Sequence, residues 1–319
     1  VSSDKVIFSY DYTAHTDPHY AMHLRTMSSG RVTLNYNDGS GTADSITSGN
    51  DAITAGVWQH VCTTYTSGTQ KIYVNGLLVA SGTDAHTITF YDQEVWIGKG
   101  NFGGEFEGLM ANVGIWSRAL SASEVESIQW RGSHSELKDT ELTNLVSWYD
   151  LDNEELGSEL VDDIVNASNW STYGSNTKAV VDGSIQITYV DHGYGGYNYL
   201  LDSKGLTVDP TENAKYKLTF DAKITGGTTT GRSIALYNGA STVYTSNLTT
   251  SYVNYEFIFT KGGSNAYIRL EGLGASNVVN IKNFSVKPYN ANDSQGSNEG
   301  LIVGATVNTD SYSGESPFK

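Results

Sequence analysis

Apolar and polar residues alternate with a period of two over much of the chain, and this alternation predicts β-strands. In YKLTFDAKI, residues 216–224, the apolar residues from Leu218 to Ile224 occupy every second position between charged and polar residues. Successive strand side chains point to opposite faces, so the pattern is typical of an antiparallel strand with one buried face. Similar short stretches recur over residues 1–131 and 164–290, with Gly, Asn and Asp between them. The sequence therefore predicts an all-β fold with two antiparallel β-sandwich domains in tandem.

One hairpin and one helix are marked by local signals. The alternating run QKIYV ends at Asn75-Gly76, a pair that favours a type I′ turn because both central residues need a positive φ. Further on, Ser121 precedes Glu124 by three residues at the start of SASEVESIQW, which is the pattern of a capping box. We therefore predict a hairpin around residue 75 and one short helix closing the first domain.

Composition narrows the classes of function. The 319 residues are enough for about two domains. The net charge of −16, with 19 Lys and Arg against 35 Asp and Glu, argues against nucleic acid and against an anionic membrane surface as partners. A single cysteine, Cys62, excludes a disulfide within the chain and is interpreted as a small buried residue. No apolar run reaches transmembrane length, and the start at Val1 suggests a processed or partial chain.

Shifts in composition set the predicted domain boundaries. Residues 1–132 form the first domain, and residues 133–163 read as an acidic connector around one apolar piece, LVSWYDL. Residues 164–290 form the second domain. Residues 291–319 are predicted to be a polar, Gly- and Ser-rich linker and the start of a further module.

The first domain resembles laminin G-like, concanavalin A-like jelly rolls. The resemblance covers roughly residues 40–131 and is carried by a Trp-x-His strand, a Y-V-N-G hairpin and an I-W-x-R-x-L-S segment before a closing helix. The matching residues are Trp58, His60, Tyr73, Asn75, Gly76, Gly108, Trp116, Arg118, Leu120 and Ser121. The strand that opens the family's fold before Lys5 is missing here, and Ala111 and Asn112 stand where the family often has Asp-Glu. The family's carboxylate role at those two positions is therefore not carried over.

The second domain resembles the carbohydrate-binding modules of families four and nine. YKLTFDAKI, SYVNYEFIFT and IKNFSVK follow one another in the order of those β-sandwiches. The resemblance implies glycan binding, while Lys282 replaces an acidic residue that helps a structural calcium site in the family. The pairing of the two domain types looks like that of modular proteins of marine bacteriophages and bacterial surfaces.

Candidates for catalysis and for metal binding are weak. Glycoside hydrolysis usually takes two facing carboxylates, and EFE places Glu105 and Glu107 on one predicted strand face, where solvated edge charges are the favoured interpretation. The acidic run at residues 150–155 has ligand-like spacing for calcium, but an acidic connector is favoured. A third candidate is a set of histidines at intervals of four, which Pro18 and its strand-like neighbours disfavour as a helical metal face: His15, His19 and His23. We predict no enzyme and no certain cofactor, with calcium as a candidate and the metal ligands unknown.

Aromatic residues near glycines are the candidates for sugar contact, because a flat ring buries the C–H face of a pyranose while polar groups bind its hydroxyls. The stretch YVDHGYGGYNYL at residues 189–200 fits either a binding platform or the inside of a sandwich. We expect Tyr189, and one of Tyr197 and Tyr199, to lie in the core and Tyr194 to be exposed. The candidate glycan-binding residues are Asp191, His192, Tyr194, Tyr197, Trp170, Tyr173 and Tyr237.

The sequence thus favours a non-enzymatic structural or adhesive protein of the extracellular space, at a virion or cell surface. A phage fibre or decoration is the favoured form, with cell-surface glycans or neighbouring subunits as partners and no nucleic acid or membrane insertion. A homo-oligomer is compatible with the predicted sandwich edges. The alternative is a pair of glycan-binding modules from a secreted adhesin or a polysaccharide-degrading enzyme, and a glycanase is the third hypothesis.

Overall fold

The structure, a computed structural model, divides into two compact units. It describes residues 4–10, 20–37, 43–66, 68–83, 88–92, 94–99, 104–161, 166–172, 175–190, 198–200, 210–227, 234–244, 247–262, 268–271, 276–296, 298, 300–301 and 303. The first unit contains the described residues up to Asp152 together with Asp293–Asn298. The second unit contains those of Asn153–Asn292 and of Glu299–Val307.

The first unit is built from short antiparallel strands. They are β1 (Lys5–Tyr10), β2 (Met22–Met27), β3 (Arg31–Asn37), β4 (Ala43–Thr47), β5 (Val61–Thr66), β6 (Thr69–Val74), β7 (Leu77–Gly82), β8 (Val95–Ile97), β9 (Val113–Trp116) and the start of β10 (Leu145–Leu156). One sheet has the order β4-β3-β2-β1-β8, a second has the order β5-β6-β7, and β9 pairs with β10.

Strand β6 is buried on both faces and joins the two cores of the first unit. Ile72 and Val74 pack in a cluster with Leu34 and other residues of the five-stranded sheet. Tyr73, which points the opposite way, packs in the other cluster with Val125 and other residues of the helical segment. The alternation predicted for this strand therefore separates two apolar environments rather than a core and solvent.

Two short α-helices follow β9, namely α1 (Ala122–Ile128) and α2 (Asp139–Leu142). Helix α1 begins with the predicted capping box: Ser121 Oγ accepts from the Glu124 backbone N–H, and a Glu124 carboxylate oxygen accepts from the Ser121 N–H. Helix α2 lies in the region that its composition had marked as a connector. Single turns of 3-10 helix lie at Ser28–Gly30, His134–Glu136 and Ala167–Asn169.

The second unit is a sandwich of two antiparallel sheets. Its strands are β11 (Trp170–Thr172), β12 (Thr177–Val181), β13 (Ser184–Thr188), β14 (Asn198–Leu200), β15 (Lys215–Gly226), β16 (Ala235–Tyr237), β17 (Thr242–Tyr244), β18 (Val253–Thr260), β19 (Ile268–Glu271), β20 (Val278–Asp293) and β21 (Gly300–Leu301). The front sheet has the order β11-β14-β19-β16-β17. The back sheet has the order β12-β13-β20-β15-β18, and β21 pairs with β20.

A single apolar core fills the second unit between its sheets. Phe220 of the back sheet stacks on Tyr255, Phe257 and Phe284, with ring centroids 5.7–6.1 Å apart. Trp170 of the front sheet meets Phe284 edge-on at 5.6 Å. Full burial of each such ring contributes about 1.5–3 kcal/mol, so this cluster is a main source of stability in the second unit.

The polar tail that composition assigned to a linker is partly ordered by specific bonds. Asp293 carboxylate oxygens accept from the backbone N–H groups of Trp148 (2.9 Å), Gln295 (3.1 Å) and Asn298 (3.3 Å). Burial alone would raise the pKa of Asp293, but these bonds outweigh it and lower the pKa. They tie residues 293–298 to strand β10 within the first unit, because a buried carboxylate needs donors.

The structure confirms the predicted all-β fold class with jelly-roll sandwiches. It also confirms a short helix after the strands of the first domain. In the described part of the chain no helix has the length and apolar character needed to span a membrane.

Candidate functional site

The residues that carry the laminin G-like pattern hold a hairpin against helix α1. Asn75 and Gly76 have φ values of 48° and 74°, which confirms the predicted type I′ turn. The Asn75 side chain accepts from the His60 backbone N–H at 2.9 Å, and the Asn75 N–H donates to the His60 carbonyl at 2.8 Å. A Cβ atom on Gly76 would lie 2.5 Å from the Gln129 amide nitrogen, so only glycine allows this close approach to the helix.

Arg118 is the centre of a second internal network. Its guanidinium donates two hydrogen bonds to Glu124 (3.0 and 2.7 Å) and one each to the carbonyls of Thr140 (2.7 Å) and Thr143 (2.8 Å). The hydrogen bond from Arg118, helped by those from Ser121, lowers the pKa of Glu124 to about 2. These groups connect the start of α1 to α2, and their bonding capacity is used within the fold rather than offered to a ligand.

Glu105 and Glu107 do not form a catalytic pair on a strand. The expectation that they share a strand face is wrong, because strand β9 begins only at Val113. Both residues are exposed, and Glu107 accepts a hydrogen bond from the Lys5 ammonium at 2.5 Å. Two exposed carboxylates, one of them paired with a lysine, match solvated charges better than the pair that glycoside hydrolysis requires.

The acidic run at residues 150–155 lies on strand β10 and not in a loop of the kind that encloses calcium. Asp150 accepts from the Trp148 indole N–H (2.7 Å), the His134 backbone N–H (3.2 Å) and the Ser294 hydroxyl (2.9 Å). These three donors give Asp150 a structural role in the first unit. Calcium binding elsewhere in the chain stays a prediction.

The histidine candidates are only partly described. His23 lies on strand β2, and burial together with the nearby Arg25 lowers its pKa to about 4. His15 and His19 lie outside the described residues. Among the residues that the structure describes, no group of three or more His, Cys, Asp and Glu side chains is arranged to hold a metal ion.

Cys62, which the sequence predicts to be a small buried residue, is half-buried in the structure. It lies on strand β5 and packs against the cluster that contains Tyr73 and helix α1. Burial of the thiol raises its pKa to about 12, so the thiol stays protonated and unreactive at neutral pH.

The predicted glycan-binding residues fall into three groups. Five lie outside the described residues: Asp191, His192, Tyr194, Tyr197 and Tyr173. Trp170 is 1% exposed in the core, where its ring cannot stack on a sugar; the three-residue strand β11 points Trp170 inward. Tyr237 is half-buried on strand β16, and its hydroxyl donates to the Gly239 carbonyl at 3.0 Å.

The register of the front sheet places Tyr237 in a row of polar and aromatic positions. Leu236 is buried in the core, so Tyr237 lies on the outward face. Directly paired residues share a face of a sheet, and the pairings across all five strands form one row on this face. Its members are, in order, Ser171, Tyr199, Arg269, Tyr237 and Thr242. We call this set the outward row.

A second set of paired positions lies on the same face, two residues along the strands. Ala235 of β16 pairs with Glu271 of β19 and with Tyr244 of β17. By strand register, this face of the front sheet thus has three tyrosine positions, one arginine position and one glutamate position. Such a combination suits a ligand with apolar C–H faces and many hydroxyl groups.

Sequence reasoning missed Tyr199, Arg269 and Glu271 as members of this face. The alternation in YIRLE, residues 267–271, already separates Arg269 and Glu271 from the apolar positions between them. What the sequence did not supply was the pairing of β19 with β14 and with β16, which joins residues about 70 and about 30 positions apart, respectively. Tyr189, by contrast, lies in the core at 1% exposure, as predicted.

Comparisons with known proteins agree with the sequence resemblance. Residues 1–126 match the family described as the concanavalin A-like lectin/glucanases superfamily, Laminin_G_3. The comparison with curated proteins gives no match.

Solved structures with similarity include an S-layer domain-containing protein, residues 221–444, from Clostridium thermocellum ATCC 27405. It is 26% identical to this chain, with a TM-score of 0.23. The match covers 40% of this chain and 64% of that chain. A structure titled "CBM4 structure and function" is 15% identical, with 38% of this chain and 95% of that chain covered and a TM-score of 0.27. A CBM22-1 xylan-binding domain from Paenibacillus barcinonensis is 13% identical, with 42% and 95% covered and a TM-score of 0.29.

Carbohydrate-binding modules are thus among the solved structures to which this chain has similarity. The first part of the chain, residues 1–126, is similar to the laminin G-like, concanavalin A-like family.

Proposed function

We propose that the second unit binds a glycan chain on the outward face of its front sheet. The observation that carries the proposal is the outward row, in which the register aligns Tyr199, Arg269 and Tyr237 on neighbouring strands. The description of the first domain's family, which includes lectins, is compatible with this function.

The chemistry of the row matches that of an oligosaccharide. Tyrosine rings provide flat apolar surfaces for sugar C–H groups, and arginine and carboxylate side chains bind hydroxyls as donors and acceptors. Strands in a sheet lie about 4.8 Å apart, so a row across five strands spans about 19 Å. That length is sufficient for a short oligosaccharide lying across the strands.

The proposed function is binding without catalysis. Within the two sets of paired positions, the front sheet places a single carboxylate, Glu271. Glycoside hydrolysis usually takes a pair of carboxylates on either side of the scissile bond. A binding face is therefore the better account of these residues than an active site.

The test is isothermal titration calorimetry of the whole chain against neutral oligosaccharides, selected by first screening a glycan array. The double variant Tyr199→Ala, Tyr237→Ala is expected to lose about tenfold or more in affinity, because each stacked ring contributes about 0.5–1.5 kcal/mol beyond its buried area.

The matched control is the double variant Tyr252→Ala, Tyr289→Ala, which removes two tyrosines from the strands and loops of the back sheet instead. Circular dichroism checks that both variants are folded. Equal affinity of the front variant and the wild type, or absence of binding to any neutral glycan, would show that the row is not a sugar-binding face.

The proposed glycan binding also bears on where the protein acts. Glycan binding suits a protein of the extracellular space or a cell surface, as an adhesin or as a module that accompanies a polysaccharide-degrading enzyme. A phage fibre or decoration, assembly with neighbouring subunits and a homo-oligomer remain predictions from the sequence, and no contact in the described residues bears on them.

A further inference from the structure

The outward face of the back sheet concentrates positive charge in an acidic chain. Alternate positions of β15 point away from the core, and the same face continues on β18 and β20. In the second unit these strands carry the following charged residues on outward positions: Lys215, Lys217, Asp221, Lys223, Glu256, Lys282 and Lys287. Five lysines against two carboxylates contrast with a whole-chain charge of −16. We call these five lysines the lysine face.

Aromatic rings hold three of the ammonium groups in place. Lys223 and Lys282 both lie over the Tyr252 ring, 4.5 and 4.2 Å from its centroid. Lys215 lies 4.4 Å from the centroid of the Tyr289 ring. Such cation–π contacts restrict long flexible side chains, so the charges are fixed before any partner arrives.

The two carboxylates on these strands are engaged by side-chain amides or by lysines, since Lys282 lies directly opposite Asp221, and Glu159 adds a third carboxylate beside the face. Asp221 accepts from the side-chain amides of Asn254 (2.9 Å) and Asn283 (2.6 Å). Glu256 pairs with Lys217 at 2.7 Å. Glu159, from the segment after β10, accepts from the Ser285 hydroxyl and the Val286 N–H.

Two lysines of the face oppose each other directly. The register pairs Lys217 with Lys287 on neighbouring strands. Like charges directly opposite in a sheet are destabilising; Glu256 offsets part of this repulsion at Lys217, and a bound anion would reduce it further.

We propose that the lysine face binds an acidic polysaccharide, one that carries carboxylate or sulfate groups. Fixed ammonium groups on neighbouring strands meet its anions. Recognition here is by charge, in contrast to the ring stacking proposed for the outward row.

The residues of the face disfavour the other polyanionic partners. Lysine is depleted in protein–protein interfaces, which use buried aromatic anchors, so a second acidic copy of this chain fits poorly. Single-stranded nucleic acid stacks its bases on open aromatic rings, whereas lysine ammonium groups lie over Tyr252 and Tyr289.

The test is affinity electrophoresis of the full chain in gels containing polygalacturonate, a sulfated galactan, neutral xylan or double-stranded DNA. The variant Lys282→Gln, Lys287→Gln is expected to bind an acidic polysaccharide about tenfold more weakly at low salt, since each lost charge weakens a screened attraction. The matched control is Lys71→Gln, Lys99→Gln. It removes the same charge from the first unit, including a lysine that lies over the Trp96 ring at 3.7 Å.

The proposal is supported if an acidic gel retards the wild type, retards Lys282→Gln, Lys287→Gln less, and retards the control as much as the wild type. Which of the two acidic gels responds tells whether the bound anion is a carboxylate or a sulfate. Three outcomes overturn it: no retardation of the wild type by either acidic gel, equal loss in both variants, or equal retardation by DNA. Concentration-dependent dimerisation that the variant abolishes, measured by analytical ultracentrifugation, would assign the face to a second copy instead. The variant Tyr199→Ala, Tyr237→Ala is expected to keep binding in the acidic gels, so failure of the outward row and failure of the lysine face are distinguishable.

Discussion

The two units use their charged side chains in opposite ways. In the first unit, Arg118 and Glu124 are 22% and 20% exposed and bond to each other and to neighbouring backbone groups. In the second unit, Lys217 and Glu256 form an ion pair at the same 2.7 Å distance, but they are 27% and 45% exposed on an outward sheet face. The same distance thus describes a structural connection in one unit and a surface contact in the other.

The difference separates the residues that carry the family resemblance from the residues proposed to bind ligands. The residues that identify the laminin G-like domain, among them Asn75, Gly76 and Arg118, build its hairpin and helix. The residues proposed to bind ligands lie on outward positions of the second unit's sheets, where their side chains do not decide the fold. A sequence pattern that identifies a fold is therefore a poor guide to the ligand-binding surface. The two ion pairs can be tested separately by substitution.

Arg118→Ala is expected to destabilise the first unit by about 3 kcal/mol. The substitution leaves Glu124 and the carbonyls of Thr140 and Thr143 without a charged donor, and losing one partner of a partly buried network is costly. Urea unfolding followed by tryptophan fluorescence measures the change, because five of the six tryptophans precede Asp152.

The matched variant in the second unit is Lys217→Ala, for which we expect no resolvable change in stability. Exposed ion pairs contribute little because water and salt screen them. Hydrogen exchange of the amides of β15 and β18 reports the second unit directly. The comparison would be contradicted if Lys217→Ala lost as much protection in β15 and β18 as Arg118→Ala loses in the first unit.

Acid unfolding is expected to reveal the charge on Glu124. Its pKa falls from 4.5 to about 2 on folding, so its contribution to stability is complete above pH 4.5 and is lost as the pH falls towards 2. A shift of this size corresponds to at most about 3 kcal/mol.

Glu124→Gln removes this contribution, and urea titrations between pH 2 and pH 6 should show a flatter dependence of first-unit stability on pH. Glu105→Gln, which removes an exposed carboxylate, is the control and should keep the wild-type slope. The lowered pKa values of Glu141 and Asp293 leave some acid sensitivity in every variant, so the difference between the curves is the quantity to compare. Identical curves for wild type and Glu124→Gln would show that the Arg118 network contributes nothing to acid stability.

The contrast between the units also explains what the sequence could predict. Local signals were sufficient for the Asn75-Gly76 turn, the Ser121 capping box and the inward face of β15, since each depends on residues close together in the chain. The outward row was out of reach, because it depends on which strands become neighbours in the front sheet. Trp170 was misjudged for a related reason: an aromatic residue beside a polar segment looks exposed until the strand's orientation is known.

Composition misled at the two segments taken for connectors. The acidic region at 133–163 contains helix α2 and strand β10, because a few buried groups such as Leu145 and Trp148 outweigh the many charged neighbours. The polar tail is held at residues 293–298 by the Asp293 carboxylate and by further bonds, among them the one from Ser294 to Asp150. One side chain with three backbone donors cannot be recognised from average polarity.

The smallest measurable difference that we predict distinguishes two hairpins with similar φ values at their turns. Asn75-Gly76 in the first unit and Asp182-Gly183 in the second have nearly equal φ values, 48° and 74° against 47° and 69°. An alanine in either glycine position is strained by the positive φ, at about 1 kcal/mol. A Cβ on Gly183 meets nothing within 4 Å, whereas one on Gly76 would lie 2.5 Å from the Gln129 amide nitrogen and 3.2 Å from Glu126 Cα.

Gly76→Ala should therefore destabilise its unit by about 1 kcal/mol more than Gly183→Ala destabilises the other, the excess coming from displacement of a buried side chain. Gln129 is 7% exposed and donates to the Glu126 carbonyl at 2.9 Å, so it cannot swing into water without breaking that bond. Hydrogen exchange at the two hairpins, measured in both variants, gives the two free energies on one scale. Equal effects would mean that the helix yields to the hairpin, and the contact with α1 would then not explain the glycine of the Y-V-N-G pattern.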